Sequence, residues 1–187
     1  MDIMEAIHRR RATRDFTAQP VARDQIRALI EAATWAPSAM NHQPWSFVVV
    51  SGRERLARWS ERAKARMVAT LASHPLEGVH AAHLSSPDFN IFYNAPTLIV
   101  ICAREAEAWG VQDCCLAAEN LMLADCAAGL GTCWIGFAEA WLHHPEGRAE
   151  LGVGAGYVPV APIILGHPAA EPAPHPRQAP PISWIEE

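Results

Sequence analysis

The chain has 187 residues, is 50% hydrophobic and 19% charged, and carries a net charge of −5. That balance excludes a disordered chain, and positive charge gathers only near the N-terminus, so nucleic acid is not an expected partner. No stretch approaches the roughly 20 consecutive apolar residues of a membrane span, and the start MDIMEAIHRRRATRDF, with acidic residues and no apolar run, is not a signal peptide.

In chain order, residues 2–11 are predicted as a short helix with Asp2 as N-cap and Ile3 and Ile7 on one face. TAQPV breaks it. Residues 22–34 then place Ile26, Leu29, Ile30 and Ala33 at helical spacing, and Pro37 closes this helix by forcing the preceding residue out of the α region. WSFVVVS, 45–51, is a β-branched run that reads as a buried strand. Residues 53–73 return to helical period through Leu56, Trp59, Ala63, Met67 and Leu71. The stretch from His74 to Pro96 has no clean period and reads as a long loop or lid.

TLIVICA, 97–103, is the next strand. Residues 111–128 have helix length, with Gly129 placed to end them, and their apolar side chains point in every direction. Such a helix needs cover on all sides, and a second subunit is a natural source of it. GTCWIGF, 131–137, reads as a strand or extended turn, and 145–151 as a short helix opening with Pro145. YVPVAPIILG, 157–166, reads as a strand that Pro159 and Pro162 restrict to an edge or to bulged positions. The proline-rich tail from His167 is extended. Helices and strands mix without a strict βαβ rhythm, so the expected fold class is α+β, with helices packed on a small sheet.

Most motif types fall away quickly. GLG, 129–131, follows a helix and GVGAG, 152–156, lies between helix and strand, the wrong order for a dinucleotide fingerprint. The histidines form no HExxH, so no metal is expected, and no serine or cysteine sits in a nucleophile elbow. The five cysteines, Cys102, Cys114, Cys115, Cys126 and Cys133, lack paired spacing and read as reduced thiols of a cytoplasmic protein.

Two stretches carry more. RRRATRDF sets Arg9, Arg10, Arg11 and Arg14 at the end of the first helix. It is either a solvated helix terminus or a bidentate site for phosphate or another oxyanion, with Arg177 a candidate to complete it. APSAMNHQPWSF, 36–47, accounts for its prolines, serine and asparagine as an ordinary turn. Yet Asn41 and Gln43 each offer a donor and an acceptor, which suits the edge of a flat heterocycle.

Taken together, RRRATRDF with the following PV, AATWAPSAMNHQPWSFVVV, NAPTLIVICA, LMLADCAAGLGTCWIGF, VAPIILGHP and a late arginine resemble the FMN-dependent nitroreductase family, in order and along nearly the whole chain. The resemblance implies one FMN-binding domain over residues 1–187, a three-layer sandwich with helices around a small mixed sheet. It also implies an intertwined homodimer with FMN at two interface sites. Carried over by position, Arg10, Arg11, Ala12 and Arg14 form the basic FMN segment, Arg10 at the phosphate and Arg14 at the pyrimidine edge. Arg177, with His175 beside it, matches a C-terminal basic residue that holds the phosphate. Pro37, Ser38, Ala39 and Asn41 match residues that reach the flavin from the partner subunit, with Gln43 supporting that loop; Ile135 and Gly136 match backbone approaching the flavin N5. Ala12 departs from the family's usual serine, and the family's central flavin contacts find no match in 74–96.

The activity implied is an FMN-dependent oxidoreductase working by ping-pong exchange, without a catalytic side chain. NADH or NADPH reduces the flavin, leaves, and is replaced by a nitroaromatic, quinone or other electron-poor small molecule. The alternatives are a flavin-fragmenting or reductively dehalogenating relative of the same superfamily, a non-catalytic flavin carrier, and a structural dimeric module without flavin.

Overall fold

A computed structural model describes residues 1–71 (backbone only for 69–71), 84, 86 and 88–186. Four strands form its sheet: β1 (Trp45–Ser51), β2 (Thr97–Arg104), β3 (Gly131–Trp134) and β4 (Tyr157–Gly166), in the order β1-β2-β4-β3. Every neighbouring pair is antiparallel, and the mixed character expected is confined to one parallel bridge, Ala12 with Thr132. β2 reads as a continuous apolar run because both of its faces are covered; Leu98, Ile99, Val100 and Ile101 are fully buried.

Each face of the sheet has its own core. Leu98, Val100, Cys102, Cys133 and Ile164 pack against α3 (Arg53–Leu71), through Leu56, Trp59 and Ala63. The same layer holds α5 (Glu139–Leu142), which the sequence reading did not anticipate, and α6 (Pro145–Leu151), whose Glu150 accepts the Trp59 indole N–H at 2.6 Å. On the other face, Ile99, Ile101, Ala161, Ile163 and Leu165 meet α2 (Arg23–Thr34) and α4 (Gly110–Ala127), through Ile26, Leu29, Ala117, Ala118 and Leu121. The result is the expected helix–sheet–helix sandwich.

α1 (Ile3–Arg9) packs on α4 and is capped as expected, Glu5 N–H donating to Asp2 at 2.8 Å, but Ile3 and Ile7 stay exposed and only Ala6 is buried. α4 ends where Gly129, at φ 71°, turns the chain out of the helix. β4 corrects the edge expectation, because it lies inside the sheet between β2 and β3. The bulge expectation holds at Pro159: Ala161 faces Ile101 and Pro159 faces Cys102, which leaves Val160 as the extra residue, while Pro162 stays in register opposite Val100. Of the expected loop or lid, residues 74–83, 85 and 87 lie outside the described residues. Its last part turns inward, with Ile91, Phe92 and Ala95 fully buried and Ile91 N–H donating to Ser60 Oγ at 3.0 Å.

The segment after α1 runs along the free edge of β3. Thr13 N–H donates to Thr132 O at 2.8 Å, and Phe16 bridges Pro168. Two glycines that face one another across β3 and β4, Gly131 and Gly166, make room for it. A Cβ on Gly131 would stand 2.5 Å from Thr13 Oγ1, and one on Gly166 would stand 2.7 Å from the Phe16 ring. Gly131→Ala therefore overpacks this seam, and we expect it to cost about 1–3 kcal/mol. A lowered thermal midpoint is the expected observation; an unchanged midpoint would show that the seam yields freely.

Candidate functional site

The basic segment begins where α1 stops. Arg10 leaves the helix with an extended backbone, φ −52° and ψ 129°, and the bridge at Ala12 then alternates the side chains about the β3 edge. Arg10 Nε lies 3.3 Å from Glu119 on α4. Arg11 turns back instead, its Nη1 donating to the carbonyls of His8 and Arg10 at 2.6 and 2.7 Å, so part of the run serves the helix terminus. Arg14 reaches the other way and lies 5.8 Å over the Tyr93 ring.

An aromatic chain continues from there: Tyr93 meets Phe89 edge-on at 5.6 Å, and Phe89 meets Phe137 edge-on at 6.3 Å. Phe137 follows Gly136, so Arg14 and Gly136 stand at the two ends of one partly buried aromatic wall. Ile135 is buried and its N–H donates to Pro162 O at 2.8 Å. Gly136 is exposed, and a Cβ added to it would meet nothing within 4 Å. The chain thus presents open main chain at the end of β3, with room for a ligand against it.

The Pro37–Gln43 loop lies elsewhere. Met40, Asn41 and Gln43 have φ of 52°, 57° and 47°, a costly set for non-glycine residues, and the loop is held by bonds from its own chain. Ala39 N–H donates to both oxygens of the buried Asp113 carboxylate on α4, at 3.2 and 3.3 Å. Gln43 N–H donates to Ser38 Oγ at 3.0 Å, and Gln43 Nε2 donates to Asn41 Oδ1 at 3.1 Å. His42 Nδ1 lies 2.8 Å from Glu107, a contact that holds the Glu107 carboxyl below its ordinary range. The polar groups of this loop therefore brace a strained turn from within. Asp113 and Glu107 were not identified from the sequence; an acid inside an apolar helical run, as at Asp113, was the available signal.

Position along α4 separates these parts. Asp113 holds the loop, Glu119 meets Arg10, and at 1.5 Å per residue the two lie about 9 Å apart along the axis. The structure therefore brings together Arg10, Arg11, Ala12 and Arg14, with Ile135 and Gly136 at the far end of the same β3 edge. It does not bring Pro37, Ser38, Ala39, Asn41 or Gln43 to them within this chain. His175 and Arg177 lie on the exposed tail and make no hydrogen bond or ion pair among the described residues.

Beneath the basic segment lies Asp125, also on α4. It is 1% exposed, and burial pushes its carboxyl up to about 7 from an ordinary 3.8, with Thr132 and Arg10 opposing the rise. Because the folded carboxyl is raised, the native state keeps a proton that the unfolded chain releases. Asp125 therefore costs stability progressively as pH rises from about 4 to about 7, and no further above that. We expect Asp125→Asn to be more stable than the parent at pH 8 and nearly equal to it at pH 4, by urea midpoints. A parent–variant gap independent of pH would contradict this.

The sequence pattern of the Nitroreductase family matches residues 7–167. Among curated proteins, nitroreductase NfnB of Mycolicibacterium smegmatis is 32% identical, over 82% of this chain and 79% of its own length. The FMN reductase [NAD(P)H] of Bacillus subtilis is 28% identical, over 94% of this chain and 70% of its own. Among solved structures, a nitroreductase with bound FMN from Bacteroides fragilis superposes over the whole of both chains with a TM-score of 0.84 and 27% identity. With a sandwich of this topology, an arginine segment laid along β3, and a family pattern running through both, the chain is a member of the nitroreductase family.

Proposed function

We propose that the chain is one FMN-binding domain, residues 1–187, and that it works as an FMN-dependent NAD(P)H oxidoreductase. Its acceptors on this reading are nitroaromatic, quinone or other electron-poor small molecules, reduced by ping-pong exchange. The observation that carries this is the β3 edge, where one short stretch of backbone leads from a guanidinium pair to an open glycine. The residues fit the cofactor: forks suited to a phosphate at Arg10, a cation on an aromatic ring at Arg14, and main chain uncovered at Gly136.

Bound FMN supplies a ring that takes a hydride from NADH or NADPH and passes the electrons on. The protein's part is placement and charge. Arg10 and Arg177 hold the phosphate, with His175 beside Arg177. Arg14 sets positive charge at the pyrimidine edge and favours electron density gained there. The Gly136 region offers main-chain donors to the other edge. Pro37, Ser38, Ala39 and Asn41 close the site from a second copy of the chain.

A second copy is supported by what this chain leaves bare. Trp35 is 80% exposed and Met40 87%, and Trp109, Val111 and Leu116 stand beside them in exposure around the start of α4. The tail beyond Pro172 has no secondary structure and holds Ile182, Trp184 and Ile185 in the open. An intertwined homodimer covers both. All five cysteines are free, which suits a reducing compartment, and on this reading the protein is cytoplasmic. Burial pushes Cys102 and Cys114 up to about 12, which makes them inert core thiols.

Two outcomes test this. Under argon, NADH or NADPH bleaches the yellow protein, and a nitroarene or quinone restores the colour; failure to bleach leaves a flavin carrier. Arg10→Ala raises the FMN Kd about tenfold or more, since a charge-assisted bond of about 1.5–3 kcal/mol is lost, read by quenching of flavin fluorescence. Equal constants for variant and parent would remove Arg10 from the site.

A further inference from the structure

Asp125 is buried to 99%, and its carboxylate is paired with no cation among the described residues; the Thr132 hydroxyl and the Cys126 main chain beside it are what favour its charged form most. Arg11 Nε, in the basic segment over it, is buried without a hydrogen-bond partner. These are not scattered defects. Asp125 lies in the wall of a cavity of about 330 Å³ whose rim carries Arg9, Arg10, Arg11 and Thr13, the residues that lead into the basic segment. A buried acid behind a row of arginines normally pairs with one of them, because an unpaired ionised carboxylate is costly to bury. Here the cation whose charge acts on it, Arg10, is instead paired with Glu119 at 3.3 Å.

We propose that Asp125 is a positioning residue for anion binding at Arg10, and that the phosphate of FMN enters together with a proton carried by Asp125. This rests on the oxidoreductase reading above. An ionised Asp125 places negative charge behind Arg10, where little solvent screens it; it competes for the guanidinium and repels the incoming phosphate. A protonated Asp125 does neither. Phosphate and proton therefore favour one another's binding, and FMN is held more weakly as the carboxyl ionises.

The groups facing the carboxyl are few. Arg10 comes from the basic segment, with Arg9 and Arg11 on the same cavity; Glu119 and Cys126 come from α4; Glu171 comes from the tail. β3 contributes Thr132, whose register partner on β4 is Leu165, an apolar residue. Burial is the leading cause of the raised carboxyl, Glu119 adds to it, and Thr132 and Arg10 oppose it, which leaves it near neutrality at about 7. Phosphate at Arg10 adds one more like charge and raises it further.

Calorimetry on the full-length protein tests this directly. FMN is titrated at about pH 7.5 in two buffers of different ionisation heat, which yields the protons exchanged on binding. Wild type is expected to take up on the order of half a proton, and Asp125→Asn close to none. From about pH 6.5 to 8.5, the wild-type Kd is expected to rise at least about threefold relative to that of Asp125→Asn; the second ionisation of FMN's phosphate, near pH 6, is common to both. If Asp125→Asn fails to fold, riboflavin replaces it as the control, because without the phosphate its binding takes up no proton. Proton release, no exchange, equal uptake by wild type and Asp125→Asn, or equal uptake with FMN and riboflavin would each overturn the role of Asp125. A protein that binds no FMN at any pH would overturn the functional reading, and this inference with it.

Discussion

The pairing of residues 12–17 with the outer edge of β3 and the chain just after β4 fixes everything that follows. Backbone bonds from Thr13 to Thr132, Thr17 to His167 and Ala169 to Asp15, the bridge at Ala12 and the seating of Thr13 and Phe16 on two facing glycines hold an otherwise irregular segment in register. A side chain on either glycine would lift the segment off the sheet. With it in place, Arg10 and Arg14 project from a rigid edge rather than from a loop, and they do so in line with Gly136 at the end of the same strand. Sites built on sheet edges of this kind keep their geometry without help from a ligand.

That edge also determines which charges interact. α4 crosses behind it, so the helix supplies Glu119 to Arg10 on the surface and Asp125 underneath. Twelve residues earlier on the same helix, Asp113 anchors the strained Pro37–Gln43 turn. One helix therefore carries an acid against each of the two segments, and about 18 Å of helix axis lies between the loop anchor and the buried acid. On the proposed reading a second copy of the chain brings the loop to the basic segment and covers the apolar side chains left bare around the start of α4.

Much of this was legible in the sequence because it depends on local pattern. The 3.6-residue stripe Leu56, Trp59, Ala63 gives α3, Asp2 gives the cap of α1, and Gly129 gives the end of α4. The basic and Pro37–Gln43 segments stood out by composition. Long-range features did not. Pro159 and Pro162 allow an edge or a bulge; a bulge beside Pro159 lets β4 lie inside the sheet, and no local rule tells one from the other. The tethers from Ala39 to Asp113 and from His42 to Glu107 span more than sixty residues and carry no motif. Asp125 continues the buried stripe of Ala117 and Leu121 at i+4 spacing, so an acid in line with core residues was the sign that it faces inward.

The central claim is that a single chain holds only part of each flavin site, Arg10 on one side and the Pro37–Asn41 loop contributed by a second copy. A mixed dimer tests it, pairing a chain that carries Arg10→Ala with a chain that carries Asn41→Ala and counting the FMN retained. If each site draws on both chains, the two lesions fall together at one site, and the dimer keeps one FMN with wild-type affinity. Two sites, each weakened by one of the two lesions, would place the whole site within one chain and contradict the account.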